Sequence, residues 1–328
     1  MKKLPIFTAM IMSTFFAIIP AHADYFSVVN FHVMTYDLDD FTVPAAVGET
    51  SSTWSDSGSI KYEINSSEGN HSYMELSVNG TLSGDGVSWV TNNPGIGIQF
   101  KVVPGMSGFT PAQTTTAPNY RLDLTTVTSA TWISTYYHLQ YRLVRLLDKV
   151  PAGRITSAPT VTLNVYNPDG EGPAVMSGVI MAGIGTQPKV DACTVSAPTE
   201  ISLPTLYGNV LKNGAQLATA SPSISLTNCP GAVDGISYNF SAVYGTHDAA
   251  NGVMNTVSGE GYAQNVFVQV QNADGSPHIV NGPVPLNDYN GSGDYKIPDF
   301  KVAYFVDDAD SVRPGNVKSA IELKVTYN

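Results

Sequence analysis

The chain has 328 residues, of which 43% are hydrophobic and 13% are charged, and its formal net charge is -11 at pH 7. This composition excludes a disordered chain, because there are enough apolar side chains to form buried cores. The acidic balance and the lack of a basic run argue against nucleic acid and anionic lipid surfaces as partners.

The N-terminal segment is typical of a secretory signal peptide. Lys2 and Lys3 precede an almost wholly apolar stretch over 4–20, and Ala21-His22-Ala23 places small residues where signal peptidase reads the chain. A transmembrane anchor is the alternative, but the stretch is slightly short for a span and a cleavage motif follows it. We therefore expect residues 1–23 to be removed, and the mature chain to be exported with no membrane span.

After the signal peptide, hydrophobic and polar residues alternate with a period of two. The alternation is clearest over 96–102, 139–143, 161–165, 266–270 and 321–327. A period of two places every second side chain on one face, which is the pattern of half-buried strands. Asn-Gly, Asp-Gly and Pro-Gly turn signals separate the segments. The sequence therefore predicts an all-β protein built from antiparallel, immunoglobulin-like β-sandwiches.

A short segment containing glycine and proline, 183–188, is the best candidate for a domain boundary. About 305 residues remain after the signal peptide, which fits two domains of ordinary size. We predict one domain over 24–187 and a second over 188–328. So short a linker would hold the two domains close together.

The two cysteines, Cys193 and Cys229, both lie in the second predicted domain. In an exported protein, a lone pair of cysteines favours one disulfide bond. A metal site is the alternative, but it would need further ligands, and the histidines are scattered singly along the chain. We expect a disulfide bond, no metal and no cofactor.

From about residue 190 onward the chain resembles the pilin domain of chaperone–usher fimbriae, such as type 1 fimbriae. The resemblance begins with Cys193 and Cys229 and continues, in order, through the segments 235–240, 265–270 and 300–305. It also includes a glycine near the C-terminus and a penultimate aromatic residue, positions that are occupied here by Gly315 and Tyr327. The order and spacing of these features carry the resemblance, which covers about 140 residues.

The resemblance implies that the second domain is an incomplete sandwich lacking its last strand. In that family a periplasmic chaperone lends a strand, and the next fimbrial subunit replaces it after passage through an outer-membrane usher. The alternative is a complete domain whose last strand simply ends a sandwich. The residues expected to face the added strand are Gly315, Ile321, Leu323, Val325 and Tyr327.

The full domain that precedes the pilin-like segment resembles the arrangement of fimbrial tip adhesins. This implies secretion through the periplasm to the fimbrial tip, and a first domain that binds a host receptor, often a glycan. Sugar recognition uses aromatic faces together with carboxylate or amide groups. Segments that begin at Trp54, Trp89 and Trp132 supply both, although tryptophan in a small sandwich is often a core residue. The predicted ligand-binding residues are Asn92, Asn93, Trp132, Tyr136 and His138.

Catalytic signatures are absent from the sequence. It contains no G-x-S-x-G elbow, no H-E-x-x-H and no phosphate-binding glycine loop. The acidic runs at 37–40 and 307–310 lack the glycine and glutamate of a calcium-binding EF-hand loop, so we expect them to be solvated loops. We do not expect an enzyme. Two other functions stay open, a structural fimbrial adaptor without a receptor and a secreted carbohydrate-active enzyme.

Overall fold

A computed structural model describes the protein over residues 25–28, 33–66, 73–104, 113–114, 119–123, 131–166 and 176–328. The predicted signal peptide, residues 1–23, lies outside this part of the chain. In the part that is described, no helix is long and apolar enough to cross a membrane.

The first half is built from strands that form two sheets. The strands are β1 (Tyr25–Val28), β2 (Met34–Tyr36), β3 (Ser55–Ser66), β4 (Tyr73–Asn79), β5 (Trp89–Val90), β6 (Ile96–Pro104), β7 (Gln113–Thr114), β8 (Asn119–Asp123), β9 (Thr131–Arg145), β10 (Thr160–Tyr166) and β11 (Met176–Ile184). One sheet has the order β1-β3-β9-β6-β5, with β7 also on β6, and the other has the order β2-β11-β10-β4-β8. β2 and β11 are parallel, and the other pairings among these strands are antiparallel.

The core of the first half lies between the two sheets, as the alternating pattern requires. Phe100 of β6 and Tyr141 of β9 meet Tyr36 of β2, with ring centroids 6.3 Å and 5.1 Å from the Tyr36 ring. The Tyr36 hydroxyl donates to the Pro159 carbonyl oxygen at 2.6 Å, so its polar atom is satisfied inside the core. Trp89 is also fully buried and packs on Phe100. Trp89 is therefore a core residue.

The second half is a separate set of strands that form three sheets. The strands are β12 (Thr194–Ser196), β13 (Gly214–Ala220), β14 (Ser225–Cys229), β15 (Ile236–Ala242), β16 (Thr246–Asp248), β17 (Val253–Met254), β18 (Phe267–Asn272), β19 (Val284–Pro285), β20 (Gly293–Lys296), β21 (Phe300–Val306) and β22 (Ile321–Tyr327). The sheets have the orders β12-β14-β20, β13-β21-β18-β17-β16 and β19-β15-β22. Phe240 and Phe300 meet at the centre of the core with ring centroids 4.8 Å apart. The predicted all-β fold with antiparallel sandwiches is confirmed.

The predicted disulfide bond is confirmed. Cys193 and Cys229 are bonded, with their Cα atoms 4.2 Å apart. The bond joins the residue before β12 to the last residue of β14, and these two strands are neighbours in one sheet. In the chain-entropy model, closing a loop of this length stabilises the fold by about 3–4 kcal/mol.

Residues 183–189, which include the predicted linker, are held against the first half. The Thr186 hydroxyl donates to an Asp37 carboxylate oxygen at 2.6 Å. The backbone N–H of Lys189 donates to the Phe41 carbonyl oxygen, also at 2.6 Å. The chain that leads from β11 to β12 is therefore restrained on both sides of residue 187.

A second connection between the halves is centred on Val150, which is fully buried. Its N–H donates to the Ser292 hydroxyl at 2.8 Å, and its carbonyl oxygen accepts from the Ser292 N–H at 2.7 Å. The N–H of Ala232 donates to the Pro151 carbonyl oxygen at 3.0 Å. Ala232 also packs in the core of the first half, although it belongs to the second half of the sequence.

We call this contact of residues 149–154 with 231–234 and 290–292 the clamp. Backbone approaches backbone so closely in the clamp that some positions have no room for a side chain. A Cβ atom added to Gly231 would lie 2.2 Å from the Val150 carbonyl oxygen. The two halves therefore share an interface in which main-chain and side-chain hydrogen bonds, together with close backbone contacts, hold them against each other.

Candidate functional site

The first candidate site lies on the sheet face that points away from the core of the first half. Ile96, Ile98 and Phe100 of β6 are buried, and so are Leu139, Tyr141 and Leu143 of β9. Side chains between them lie on the opposite face because successive strand residues alternate. We call this opposite face, together with the tryptophan that lies on it, the outer face. Its members are Trp54, Gln99, Lys101, His138, Gln140 and Arg142.

The pairing of β6 with β9 brings the polar side chains of the outer face together. Gln99 is opposite Arg142, and Lys101 is opposite Gln140. His138 is the next residue of β9 on the same side, opposite Val103. Two cations, two amides and an imidazole therefore occupy adjacent positions on two neighbouring strands.

Trp54 reaches the outer face because the chain bulges just before β3. Thr50 pairs with Val144, and Ser55 pairs with Tyr141, so the β3 side uses two more residues than the β9 side to cover the same distance. Bulges of this kind redirect side chains and are common beside binding sites. The indole ring of Trp54 lies 4.4 Å from the guanidinium carbon of Arg142 and 4.5 Å from Nζ of Lys101, measured to the ring centroid.

A chain of hydrogen bonds fixes Arg142 from the opposite side. Its Nε donates to Oε1 of Gln99 at 3.0 Å, and Nε2 of Gln99 donates to the Ser88 hydroxyl at 3.0 Å. The Ser88 hydroxyl in turn donates to Oδ2 of Asp85. Because a carboxylate only accepts, the Ser88 proton must point to Asp85, which leaves the Ser88 lone pairs for Gln99. The Gln99 amide is thereby oriented with its oxygen toward Arg142.

Asp85 and Arg142, the two charged members of this hydrogen-bond network, keep their charges near neutral pH. Burial raises the pKa of the Asp85 carboxyl, but hydrogen bonds from Ser83, Ser88 and the Val87 N–H outweigh that effect, and the net pKa is lowered. Burial lowers the pKa of the Arg142 guanidinium, which nonetheless stays protonated because a guanidinium loses its proton only at strongly alkaline pH. Asp85 is therefore anionic and Arg142 cationic at physiological pH.

The structure places the predicted residues Asn92 and Asn93 in the turn between β5 and β6. The Asn92 amide donates to the Arg154 carbonyl oxygen at 2.9 Å, and its oxygen accepts from the N–H of Thr156 at 2.7 Å. Asn93 is buried, and its amide donates to the carbonyl oxygens of Pro151 and Gly153 at 3.0 Å and 2.9 Å. In this structure both side chains therefore hold the loop that forms one side of the clamp.

The other three predicted ligand-binding residues lie on β9. Trp132 pairs with Asn65 of β3, Tyr136 pairs with Lys61, and His138 pairs with Ser59. His138 is a member of the outer face, and the side chains of Trp132 and Tyr136 lie outside the part of the structure that is described. Sequence reasoning did not select Lys101, Gln140 and Arg142, because alternation alone does not reveal which strands are neighbours. It considered the segment of Trp54 but did not choose it.

The second candidate site is the edge of the second half at β22. Within residues 176–328, β22 pairs only with β15. The core-facing residues of β15, namely Ile236, Tyr238 and Phe240, are at most 3% exposed. Their partners on β22 are the predicted interface residues Leu323, Val325 and Tyr327, and with Ile321 these are only partly buried. The core is therefore closed at β15 and open at β22.

Further half-buried aliphatic residues surround this open edge. Ile201 and Leu203, which lie in a loop segment, pack against the same core cluster as the β22 residues. Leu203 and Val317 also pack against a neighbouring small cluster that contains Val306. Apolar surface that is only half covered, next to an unpaired strand edge, is the physical requirement for binding an additional strand.

Gly315 and Tyr327 have contacts within the chain that account for their residue types. A Cβ atom on Gly315 would lie 2.4 Å from the carbonyl carbon of Tyr262, so only glycine fits against this backbone. The backbone N–H of Cys193 donates to the Tyr327 hydroxyl at 2.6 Å. Gly315 packs one loop onto another, and Tyr327 ties the end of β22 to the start of the second half.

Among the described residues, no group of three or more acidic, histidine or cysteine side chains is arranged to hold a metal ion. In the acidic run at 37–40, an Asp37 carboxylate oxygen accepts hydrogen bonds from the Asp39 N–H at 3.2 Å and from the Thr186 hydroxyl at 2.6 Å. Asp308 likewise accepts from the N–H of Asp310 at 3.1 Å at the start of a short helical turn.

Comparison with known proteins gives the class of the second half. Residues 184–328 match the model of the fimbrial protein family. The second half of the chain is therefore a fimbrial domain. None of the curated proteins compared with the chain matches it.

Solved structures of fimbrial proteins are similar to the chain. The CupB6 tip adhesin from Pseudomonas aeruginosa is 19% identical with a TM-score of 0.44, and the match covers 92% of this chain and 94% of that one. The receptor-binding domain of the adhesin MrkD1P of Klebsiella pneumoniae is 13% identical with a TM-score of 0.28, covering 52% of this chain and 98% of that one. A chaperone–usher pilus structure is 18% identical with a TM-score of 0.30, covering 49% and 98%.

Proposed function

We propose that this chain is a fimbrial tip adhesin, exported through the periplasm and carried to the tip of a chaperone–usher fimbria. The second half is anchored by a strand donated from another chain, and the first half binds a host receptor, a glycan. The observation that carries the proposal is the open edge at β22 within a segment that matches the fimbrial protein family.

A donated strand beside β22 both pairs with the backbone of this edge and covers its half-buried apolar side chains. Its backbone pairs with the free N–H and C=O groups of β22. Every second side chain of the donor enters the core and covers Ile321, Leu323 and Val325, which are now only partly buried. The partners are a periplasmic chaperone before assembly and the next fimbrial subunit afterwards, with an outer-membrane usher at the point of exchange.

The receptor role of the first half is supported by the outer face. It combines an indole ring with amide, imidazole and cationic groups on a rigid sheet. Aromatic rings cover the apolar side of a sugar, and amides bind its hydroxyl groups. Asn92 and Asn93, which the sequence also predicted as ligand-binding residues, instead hydrogen-bond the backbone of residues 151–156 in this structure.

Fusion of a donor strand tests the anchoring part of the proposal. A strand joined after Asn328 through a flexible linker should convert an aggregating full chain into a stable monomer. The control is the same strand shifted by one residue, which turns its apolar side chains toward solvent. An unfused chain that is already a stable monomer, or equal melting temperatures with the two strands, would contradict the proposal.

Two substitutions at neighbouring positions test whether the donated strand covers the core-facing side of β22. Val325→Asp places a carboxylate on the partly buried face and should prevent rescue by the fused strand. Thr326→Asp adds the same charge one residue away on the exposed face and should leave rescue intact. Equal behaviour of the two variants would show that the strand does not cover this face.

The proposed receptor binding is tested on a glycan array with the full-length protein that carries the fused donor strand. Binding to a defined set of glycans is the expected result. Absence of binding to glycans and to host-cell surfaces would indicate that the protein is a structural adaptor instead. Turnover of a bound sugar would instead identify a carbohydrate-active enzyme.

A further inference from the structure

The outer face of the first half carries two cations on neighbouring strands, Lys101 of β6 and Arg142 of β9. Lys101 and Arg142 both lie within 4.5 Å of the centroid of the Trp54 ring. Among the described side chains, neither Lys101 nor Arg142 forms an ion pair. In a chain with a formal net charge of -11, two adjacent unpaired cations are a local exception.

The guanidinium of Arg142 is both fixed and available. Its Nε donates a hydrogen bond to Gln99, and the Gln99 amide donates one to Ser88. Gln99 and Ser88 are both buried. In the described part of the chain, the two terminal nitrogens of Arg142 have no hydrogen-bond partner. A guanidinium held by its Nε presents these two nitrogens as a fork, which matches the two oxygens of a carboxylate.

Lys101 adds a second positive charge at the same indole ring, with its Nζ 4.5 Å from the ring centroid. Two cations over one ring repel each other, and a bound anion removes that cost. The negative face of the indole ring partly compensates the cations and holds them in place until the anion arrives. Gln140 pairs with Lys101 in register and supplies an amide next to the charges. An amide beside a cation pair suits a ligand that carries hydroxyl groups as well as an anionic group.

We propose that the outer face binds a saccharide that carries a carboxylate group, with the carboxylate on Arg142 and Lys101 and the sugar hydroxyls at Gln140. This inference rests on the proposed function, because it names the class of glycan that the first half recognises. Trp54 is a positioning residue for the two cations in this arrangement. Sialic acid and hexuronic acid residues both belong to this class of saccharide.

The probes are oligosaccharides that differ only in the anionic group. Sialyllactose and a hexuronic-acid oligosaccharide are each compared with a counterpart whose carboxyl group has been reduced to an alcohol. Neutral lactose and a sulfated oligosaccharide without carboxylates complete the set. All are titrated against the full-length protein with the fused donor strand. The expected result is binding of one or both carboxylate probes and loss of that binding on reduction.

Three variants assign the binding to the outer face. Arg142→Gln should weaken binding of the carboxylate probe about thirtyfold or more, the usual effect of removing a central charged anchor. Arg142→Lys keeps the charge but loses the fork, so it should restore only part of the affinity. Lys189→Gln removes one positive charge from an exposed position elsewhere and should bind like the parent. Unchanged melting temperatures exclude a folding defect.

The outcomes separate this inference from the function on which it rests. Equal binding of a carboxylate probe and its reduced counterpart, or of Arg142→Gln and the parent, overturns the inference and leaves the adhesin proposal standing. Binding of the sulfated probe alone overturns the assignment to a carboxylate. Binding of no glycan of any kind overturns both proposals.

Discussion

The hydroxyl group of Tyr327 accepts a hydrogen bond of 2.6 Å from the backbone N–H of Cys193. The residue next to the end of the chain is thus tied to the disulfide bond at the start of the fimbrial domain. The contact closes the second half on itself at the strand whose other edge is open.

Tyr327→Phe removes this hydrogen bond and keeps the ring. A net loss of about 1 kcal/mol in the free energy of unfolding is expected, since one intramolecular hydrogen bond contributes roughly that amount. Denaturant unfolding of the strand-fused protein measures it. Tyr207→Phe is the control, because Tyr207 is 65% exposed and should have almost no effect.

Gly315→Ala is expected to destabilise the second half. The new methyl group would lie 2.4 Å from the backbone of Tyr262, so two loops must separate. Overpacking of this kind typically costs about 1–3 kcal/mol. Gly208→Ala is the matched control, because a Cβ there would meet no atom within 4 Å. A melting temperature for Gly315→Ala equal to that of Gly208→Ala would show that the loops adjust freely.

Gly231→Ala is expected to open the clamp. Its Cβ would lie 2.2 Å from the Val150 carbonyl oxygen, whereas a Cβ at Gly235 would have its nearest contact at 3.9 Å. In calorimetry, the parent and Gly235→Ala should unfold in one cooperative transition, and Gly231→Ala should show two. Limited proteolysis should then cut the variant near residues 149–154. A single unchanged transition in Gly231→Ala would mean that the halves do not depend on this contact.

His278 should make stability depend on pH. Burial lowers the pKa of its imidazole below the ordinary value of 6.5, although a hydrogen bond to Ile279 opposes this. Nδ1 donates to the Ile279 carbonyl oxygen at 2.7 Å, so Nε2 accepts from the Tyr238 hydroxyl at 3.0 Å in the neutral ring.

The sign of the effect follows from the lowered pKa of His278. The unfolded chain takes up a proton near pH 6.5, before the folded protein does, so stability falls as the pH is lowered from 6.5 toward the folded pKa. Above pH 6.5, His278 makes its full contribution to the free energy of unfolding. Urea unfolding at pH 7.5 and pH 5 should show lower stability at pH 5, and His278→Gln should reduce that difference. An identical difference in the variant would assign the pH dependence to other groups.

Sequence reasoning predicted several of the strands, because alternation is a local property. The segment 321–327 alternates in sequence and forms β22 with alternating burial. The disulfide bond was predictable from the number of cysteines and the expected compartment. The open edge was predicted through the resemblance, and the partial burial of Leu323 and Val325 gives it a physical basis.

The outer face could not be predicted in the same way, because it depends on contacts between distant parts of the chain. Arg142 and Gln99 are 43 residues apart, and no local pattern shows that β6 lies beside β9. The bulge that directs Trp54 is visible only once the pairing is known. Asn92 shows the converse case, since a polar turn predicted as a ligand site has its side chain bonded to a carbonyl 62 residues away.

The clamp limits how the two halves can be recombined in protein engineering. A chimaera that joins this first half to another fimbrial domain needs a residue without a side chain wherever that domain approaches Val150, as Gly231 and Gly291 do here. It also needs a small apolar residue at the position of Ala232 to complete the neighbouring core. Domains exchanged without these residues would be connected through residues 183–189 alone, so the relative orientation of the two halves would no longer be inherited.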